Sequence, residues 1–430
     1  MEHITLPTKQ HVKWSDMELG VIIHLCMDII NPFFKEIKSK KVRYELPPEK
    51  FIVEKLDTDQ WLKAAFDMGA GYAILVVNHC TGFSLWPTKQ NDYSIKHSPW
   101  KNGNGDIIKD FLESCRKYNI KPGLYYSTGC NGYYDIDDSK PDYSSLKYHD
   151  YVKVVEAQLT ELWSEYGELY EIWFDGGIVP LSLGGPNLLP LLEKYQPNAL
   201  CFQGPMEHDK NLRWVGNEGG MAPKNCWCTA NFNSANYDGM ARDELAGRGD
   251  PNGFYWIPVE TDMPNRTHEA FGGGWLWKQG EIDKIFTTEE LMECYYTSVG
   301  RNSNLLIGMA IGTDGLFEDS HQLKAFGDSI RDTFANIKGR TEGSGAYHEV
   351  AFKSPVEISH IIVMEDIVYG HRIRSFHIKI VTEYGDEMIY SGECIGHKRI
   401  IKIKPTFVNK VVLHIDKFAD KPLIKDFSVY

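Results

Sequence analysis

The chain has 430 residues, 42% of them hydrophobic, which is enough to bury a large core and to hold two domains. A formal net charge of -13 excludes nucleic acid as a natural partner, because neutralising phosphates needs clustered Lys and Arg. No run approaches the roughly 18 apolar residues of a membrane span, so membrane insertion is not expected. The opening "MEHITLPTKQ" has neither a basic nor an apolar signal segment. The chain therefore reads as cytoplasmic as it stands, and as periplasmic or secreted if a signal has been removed.

In chain order, short apolar runs of strand length alternate with helical stretches. The runs are "ELGVIIHLCM", "GYAILVVNH", "KPGLYYST", "LYEIWFDG", "ALCFQG", "RWVGNE", "FYWIPVE" and "NLLIGMAI". Each is consistent with a buried parallel strand. Between them, "DQWLKAAFDMGA", "GDIIKDFLESCRKYN" and "YVKVVEAQLTELWSEYG" carry apolar residues at the three- and four-residue spacing of amphipathic helices. Repeated strand-then-helix units predict an α/β fold, a distorted (β/α)8 TIM-like barrel over residues 1–340. The distortion is expected in the Gly- and Asn-rich stretch between Gly219 and Gly253. After "SHQLKAFGDSIRDTFANIKG" the polar "RTEGSGAYHE" marks a boundary. The alternating runs "ISHIIVME", "RIRSFHIKIVT", "RIIKIKP" and "KVVLHID" then predict a C-terminal β-sandwich over 341–430.

The nine cysteines are odd in number and scattered, so they read as mostly free thiols, and "CWC" at Cys226 to Cys228 is too short for a zinc knuckle.

In a barrel, residues at the carboxyl ends of the strands share one pocket. Here they are His24, His79, Tyr126, Asp175, Glu218, Glu260 and Asp262, accompanied by Trp173, Trp214, Trp256 and Trp275. Asp175 ends the apolar run "YEIWFDGG" on a bare carboxylate beside two glycines, where the chain can turn away and leave the side chain reachable. Plainer readings exist for each: a helix cap for Asp175, satisfied structural imidazoles for the histidines, a turn residue for Glu218, loop ion pairs for Glu260 and Asp262. The shared register of strand ends favours a site, and carboxylates with an aromatic wall suit a sugar. A metal-dependent hydrolase would want His-x-His after the first strand, which instead reads "HLCMD", so neither a catalytic metal nor a cofactor is expected. Two carboxylates without a metal suit glycoside hydrolysis, with Asp175 as nucleophile and Glu218, on a longer side chain, as general acid. Their carboxyl groups are expected to lie roughly 5 Å apart if both act directly. Glu260 is the reserve acid.

These residues carry a resemblance over essentially the whole chain. "IWFDGG", "RWVGNEGG", "WIPVETD", "GGGWLWK" and "YYTSVGRNSNLLIG" are similar to motifs of glycoside hydrolase family 29, the retaining α-L-fucosidases, in the subgroup that prefers α-1,3/1,4-linked fucose. The resemblance implies Asp175 as nucleophile and Glu218 as acid/base. It puts His24, His79, Tyr126 and Trp173 on the fucose ring, with Trp214, Glu260 and Trp275 also lining the substrate site. It implies a fucosylated oligosaccharide or glycoconjugate as substrate, and a last domain resembling discoidin-like carbohydrate-binding modules. The chain departs from the family where the second strand usually ends Lys-His-His-Asp-Gly-Phe and here runs from Asn78 through His79, Cys80, Thr81 and Gly82 to Phe83. The Glu-Trp-Gly run after the first strand is also replaced, by "NPFFKEIKSKKVRYELPPEKF". The alternatives are a related α-L-sugar such as L-galactose, or a catalytically silent glycan-binding protein.

Overall fold

The computed structural model describes residues 3–30, 46–136, 144, 146–231 and 247–430. The replacement for the Glu-Trp-Gly run and the centre of the Gly- and Asn-rich stretch lie largely outside these residues. Strands β1 (Leu19–His24), β2 (Tyr72–Asn78), β3 (Lys121–Tyr126), β4 (Glu171–Trp173), β5 (Leu200–Phe202) and β6 (Asn211–Trp214) follow in chain order. A small antiparallel ribbon, β7 (Thr229–Ala230) with β8 (Tyr255–Trp256), precedes β9 (Val259–Met263) and β10 (Asn304–Ala310). All but the ribbon pair in parallel and close an eight-stranded barrel in the order β1-β10-β9-β6-β5-β4-β3-β2.

Every residue of β1, β2 and β10 is buried, because barrel strands are covered on both faces and leave no solvent side to mark with polar residues. Val21, Ile23, Leu75, Val77, Leu124 and Tyr126 join the core formed with the surrounding helices. Ile22, Tyr72, Ile74, Val76, Tyr125, Trp173, Phe202 and Leu306 fill the interior, with Trp14 of helix α1 (Lys9–Met17) packed among them. The interior is tight: a Cβ on Gly20 would lie 2.4 Å from the Tyr72 ring, so only glycine admits that tyrosine. Helix α2 (Thr58–Met68) starts on an Asp57 cap to the Gln60 amide and stops at Gly69 in the left-handed region (φ 98°).

Two strand expectations are corrected. The seventh barrel strand is β9, not "FYWIPVE". Pro258, which cannot donate to a ladder, stands between Trp256 and Val259, and Tyr255–Trp256 pairs with Thr229–Ala230 instead. The C-terminal domain is the expected antiparallel β-domain, its six strands ordered β11-β16-β12-β15-β13-β14, and within it two of the expected runs merge. Its strands are β11 (Gly339–Ser344), β12 (Tyr347–Glu365), β13 (Ile373–Thr382), β14 (Gly385–Gly392), β15 (Arg399–Phe418) and β16 (Leu423–Val429). "RIIKIKP" and "KVVLHID" are parts of the single strand β15. Register shifts along the β12–β15 pairing, between Ala351 and Val356 and between Ile358 and His360, let these two long strands bend around one core, a sandwich-like result.

The two parts are joined by buried polar contacts. Asn302 donates to the Cys226 carbonyl and accepts from the His397 amide, at 2.8 and 2.6 Å, and Arg399 reaches the Lys224 carbonyl at 2.8 Å. No described helix is long and apolar enough to cross a membrane.

Candidate active site

Asp175 is the second residue beyond β4, exposed, and followed by Gly176 and Gly177, both left-handed (φ 68° and 81°), a conformation that turns the chain away from the carboxylate. The hydroxyl of Tyr125, on the neighbouring β3, donates to Asp175 Oδ2 at 2.7 Å. Glu218, also exposed, sits on a short excursion between β6 and β9 that is tied at both ends: Val215 N to the Glu260 carbonyl at 3.2 Å and Gly220 N to the Asp262 carbonyl at 3.0 Å. Trp275 donates from Nε1 to Glu218 Oε2 at 3.0 Å. Gly308 of β10 makes room for that indole, since a Cβ there would lie 2.9 Å from it.

Between the two carboxylates runs an unbroken arc of rings. Tyr125 lies 5.9 Å from His79, His79 lies 6.1 Å from His24 edge-to-face, and His24 lies 5.3 Å from Trp275. Asp175 and Glu218 terminate the arc. His79 Nδ1 is 3.2 Å from Oδ2 of the buried Asp28. Burial by itself lowers the His79 pKa, but its hydrogen bonds to Asp28 and Cys26 outweigh that and hold it well above the ordinary imidazole value. His24 is pushed the other way, to about 3, by burial and by the neighbouring His79. It is the neutral member of the pair.

The family model for alpha-L-fucosidases matches residues 26–331, well over half of the chain. The chain belongs to the α-L-fucosidase family, glycoside hydrolase family 29. A crystal structure of a protein from Bacteroides thetaiotaomicron VPI-5482, provisionally named an α-L-fucosidase, superposes with TM-score 0.91 at 31% identity, covering 100% of this chain and 99% of that one. A glycoside hydrolase 29 family member from an unknown rumen bacterium superposes with TM-score 0.84 at 28% identity, covering 100% and 78%. Alpha-L-fucosidase 1 of Arabidopsis thaliana is 28% identical, over 99% of this chain and 88% of its own length. The chain is thus a glycoside hydrolase family member with that family's barrel and added C-terminal sheet.

Within this family frame, the structure brings His24, His79, Asp175, Glu218 and Trp275 together and sets others apart. Tyr126 points outward, its hydroxyl 2.6 Å from Gln158 Oε1 on helix α3 (Leu146–Glu165); Tyr125, one residue earlier, has the inward parity. Trp173 is only 6% exposed, and both ring faces are taken, by Tyr125 (5.4 Å, 18°) and Phe202 (4.0 Å, 3°), so it offers no face to a sugar. Trp214 donates to Asp262 Oδ1 at 2.7 Å.

Glu260 is not at a strand end. It lies inside β9, fully buried, and accepts from the Tyr72 hydroxyl at 2.5 Å and from Trp173 Nε1 at 2.9 Å. Its partner carboxyl is Glu171, whose Oε2 accepts from Trp14 Nε1 at 3.0 Å. Burial raises the pKa of both, and the neighbouring Glu260 raises that of Glu171 further. Glu260 therefore cannot meet a leaving group. Asp262 is the other buried carboxyl of β9, held well above the carboxylate range by burial, with Glu218, Glu260 and Asp175 adding to the effect.

Sequence reasoning missed Tyr125 and Asp28. The doublet Tyr125–Tyr126 signals a ring at the end of β3 but not which of the two faces inward. Asp28 carried no signal of its own.

Proposed function

We propose that the chain is an exo-acting, retaining α-L-fucosidase that removes α-1,3/1,4-linked L-fucose from glycans. The observation that carries this reading is the arc from Asp175 through Tyr125, His79, His24 and Trp275 to Glu218, two reachable carboxylates joined by a ring-lined wall. In the first step an Asp175 oxygen bonds to the anomeric carbon while the bond to the aglycone oxygen breaks, and Glu218 gives that oxygen its proton. In the second step Glu218 takes a proton from water, whose oxygen displaces Asp175. The Tyr125 hydroxyl holds the attacking carboxylate in one orientation, and the imidazoles supply hydrogen bonds to sugar hydroxyls.

A second reading, the same chemistry on a related α-L-sugar such as L-galactose, draws support from Cys80. It stands where the family usually has a second imidazole, and it packs against Cys130, whose thiol lies 3.9 Å from the Cys80 carbonyl. A thiol is a weak substitute for an imidazole as a partner for a hydroxyl. A panel of aryl α-L-glycosides separates the readings: turnover of the fucoside supports the first, turnover only of another sugar the second, and binding without turnover a silent lectin.

The catalytic assignment is tested by Asp175→Gly, expected to be folded, inactive and partly rescued by azide. The partner test is Glu218→Ala, expected to keep much of its first step on an activated aryl fucoside and to fail on a fucosylated glycan. Wild-type turnover in Asp175→Gly overturns the nucleophile; equal losses of Glu218→Ala on both substrates overturn the acid/base.

A further inference from the structure

We infer that Cys26, Asp28 and His79 form a site for a thiophilic divalent cation of the Zn2+ class at the inner rim of the sugar pocket. Cys26 and Asp28 lie just beyond β1, Asp28 in the short 3-10 turn Met27–Ile30, and His79 follows β2, the strand paired with β1. One donor atom from each, Sγ, a carboxylate oxygen and an imidazole nitrogen, lies within 4.8 Å of the other two. Cys26 and Asp28 are buried, 4% and 3% exposed, while His79 remains half-buried and gives the cation an entrance.

The distances suit a tetrahedral ion. Zn–N and Zn–O bonds of about 2.0 Å put the two donors roughly 3.3 Å apart, and a Zn–S bond of about 2.3 Å puts sulfur roughly 3.5 Å from either. The observed separation of His79 Nδ1 from Asp28 Oδ2 is 3.2 Å, so that edge is already at coordination length. The sulfur has at most about 1.3 Å to close, within side-chain rotation of an unbranched thiol. The donor set selects the metal: a thiolate and an imidazole are poor ligands for Mg2+ and Ca2+ and good ones for Zn2+. Without a cation the same three groups make a hydrogen-bonded triad, so the protein folds in either state.

On binding, the metal–sulfur bond replaces the Cys26 S–H, whose proton leaves to solvent, and the metal replaces the proton between His79 and Asp28. Three protein ligands leave a fourth position for water. Asp175 and Glu218 are not ligands, so the site is regulatory rather than catalytic. Coordination through Nδ1 fixes His79 with its proton on Nε2 and ties the ring down. On the reading of His79 as a sugar contact, loading therefore raises KM several-fold and leaves kcat nearly unchanged.

The test uses the full chain freed of metal with a chelator. Calorimetric titration with Zn2+ is expected to show one equivalent bound, and Co2+ to give the sulfur-to-cobalt charge-transfer band of a thiolate ligand. Cys26→Ser and Asp28→Asn, each checked for native circular dichroism, should weaken Zn2+ binding at least about tenfold, and Cys26→Ser should abolish the band. Zn2+ should raise the Tm of the wild type but of neither variant. Unchanged binding in both variants, no charge-transfer band in the wild type, or transfer of the effect to Cys80→Ser or Cys130→Ser overturns the site. Turnover without metal binding refutes this inference alone; metal binding without turnover refutes the fucosidase reading alone.

Discussion

Glu260→Gln and Glu260→Ala measure what the carboxylate inside the barrel does. In the wild type Glu260 accepts from Tyr72 at 2.5 Å and from Trp173 at 2.9 Å, on a side chain that is 0% exposed. Alanine strands both donors. Each buried donor without a partner costs about 1–3 kcal/mol, so the variant should lose about 2–6 kcal/mol, before any cavity term. Glutamine is milder. Its carbonyl can face Trp173, which only donates, and its amide can face Tyr72, whose hydroxyl turns to accept, leaving a loss of about 1 kcal/mol for exchanging charged for neutral hydrogen bonds. The assay is urea unfolding followed by tryptophan fluorescence, paired with kcat/KM on an aryl fucoside and on a fucosylated oligosaccharide. The expected result is a lowered midpoint with an unchanged ratio between the two substrates. A wild-type midpoint for Glu260→Ala, or a loss of activity that grows as the leaving group worsens, would refute the reasoning and return Glu260 to the chemistry.

Tyr125→Phe removes a charge-assisted hydrogen bond to Asp175, worth about 1.5–3 kcal/mol, and should lower kcat roughly 10- to 100-fold with little change in unfolding midpoint; steady-state kinetics check it. His11, buried between α1 and β6, has its pKa lowered from 6.5 to about 4, chiefly by burial. The unfolded chain therefore binds that proton first. Its stability contribution is complete above pH 6.5 and is lost as pH falls to about 4, which at ~1.4 kcal/mol per pH unit is about 3.5 kcal/mol. Urea midpoints across that window should fall less steeply in His11→Gln than in the wild type. Arg266, fully buried, pairs through Nε with the equally buried Asp319 at 2.8 Å, and Arg266→Met should cost about 3–5 kcal/mol by stranding that carboxylate. The double variant Arg266→Met/Asp319→Leu should recover most of the loss in the same unfolding assay.

The sequence by itself determined the architecture and the position of the nucleophile candidate, because both are written in local pattern. Strands covered on two faces need continuous apolar runs, as "GYAILVVNH" and "NLLIGMAI" are. Helices covering them need one apolar stripe, as α2 and α3 have. A carboxylate and two glycines after such a run can be only a strand end where the chain turns. What the sequence left open were questions of facing, and these depend on how the barrel closes. Side chains alternate along a strand, so one residue of register separates Tyr125 beside Asp175 from Tyr126 against Gln158. By the same alternation, starting β9 after Pro258 puts Glu260 in the sealed interior rather than in the pocket. Glu260, far from Glu171 in the chain, raises its pKa only because β4 and β9 both line the inside of the closed barrel. Cys26, Asp28 and His79 meet for the related reason that β1 and β2 run in parallel and deliver their ends to the same rim. Long-range pairing alone sets those distances, and no short stretch of residues encodes it.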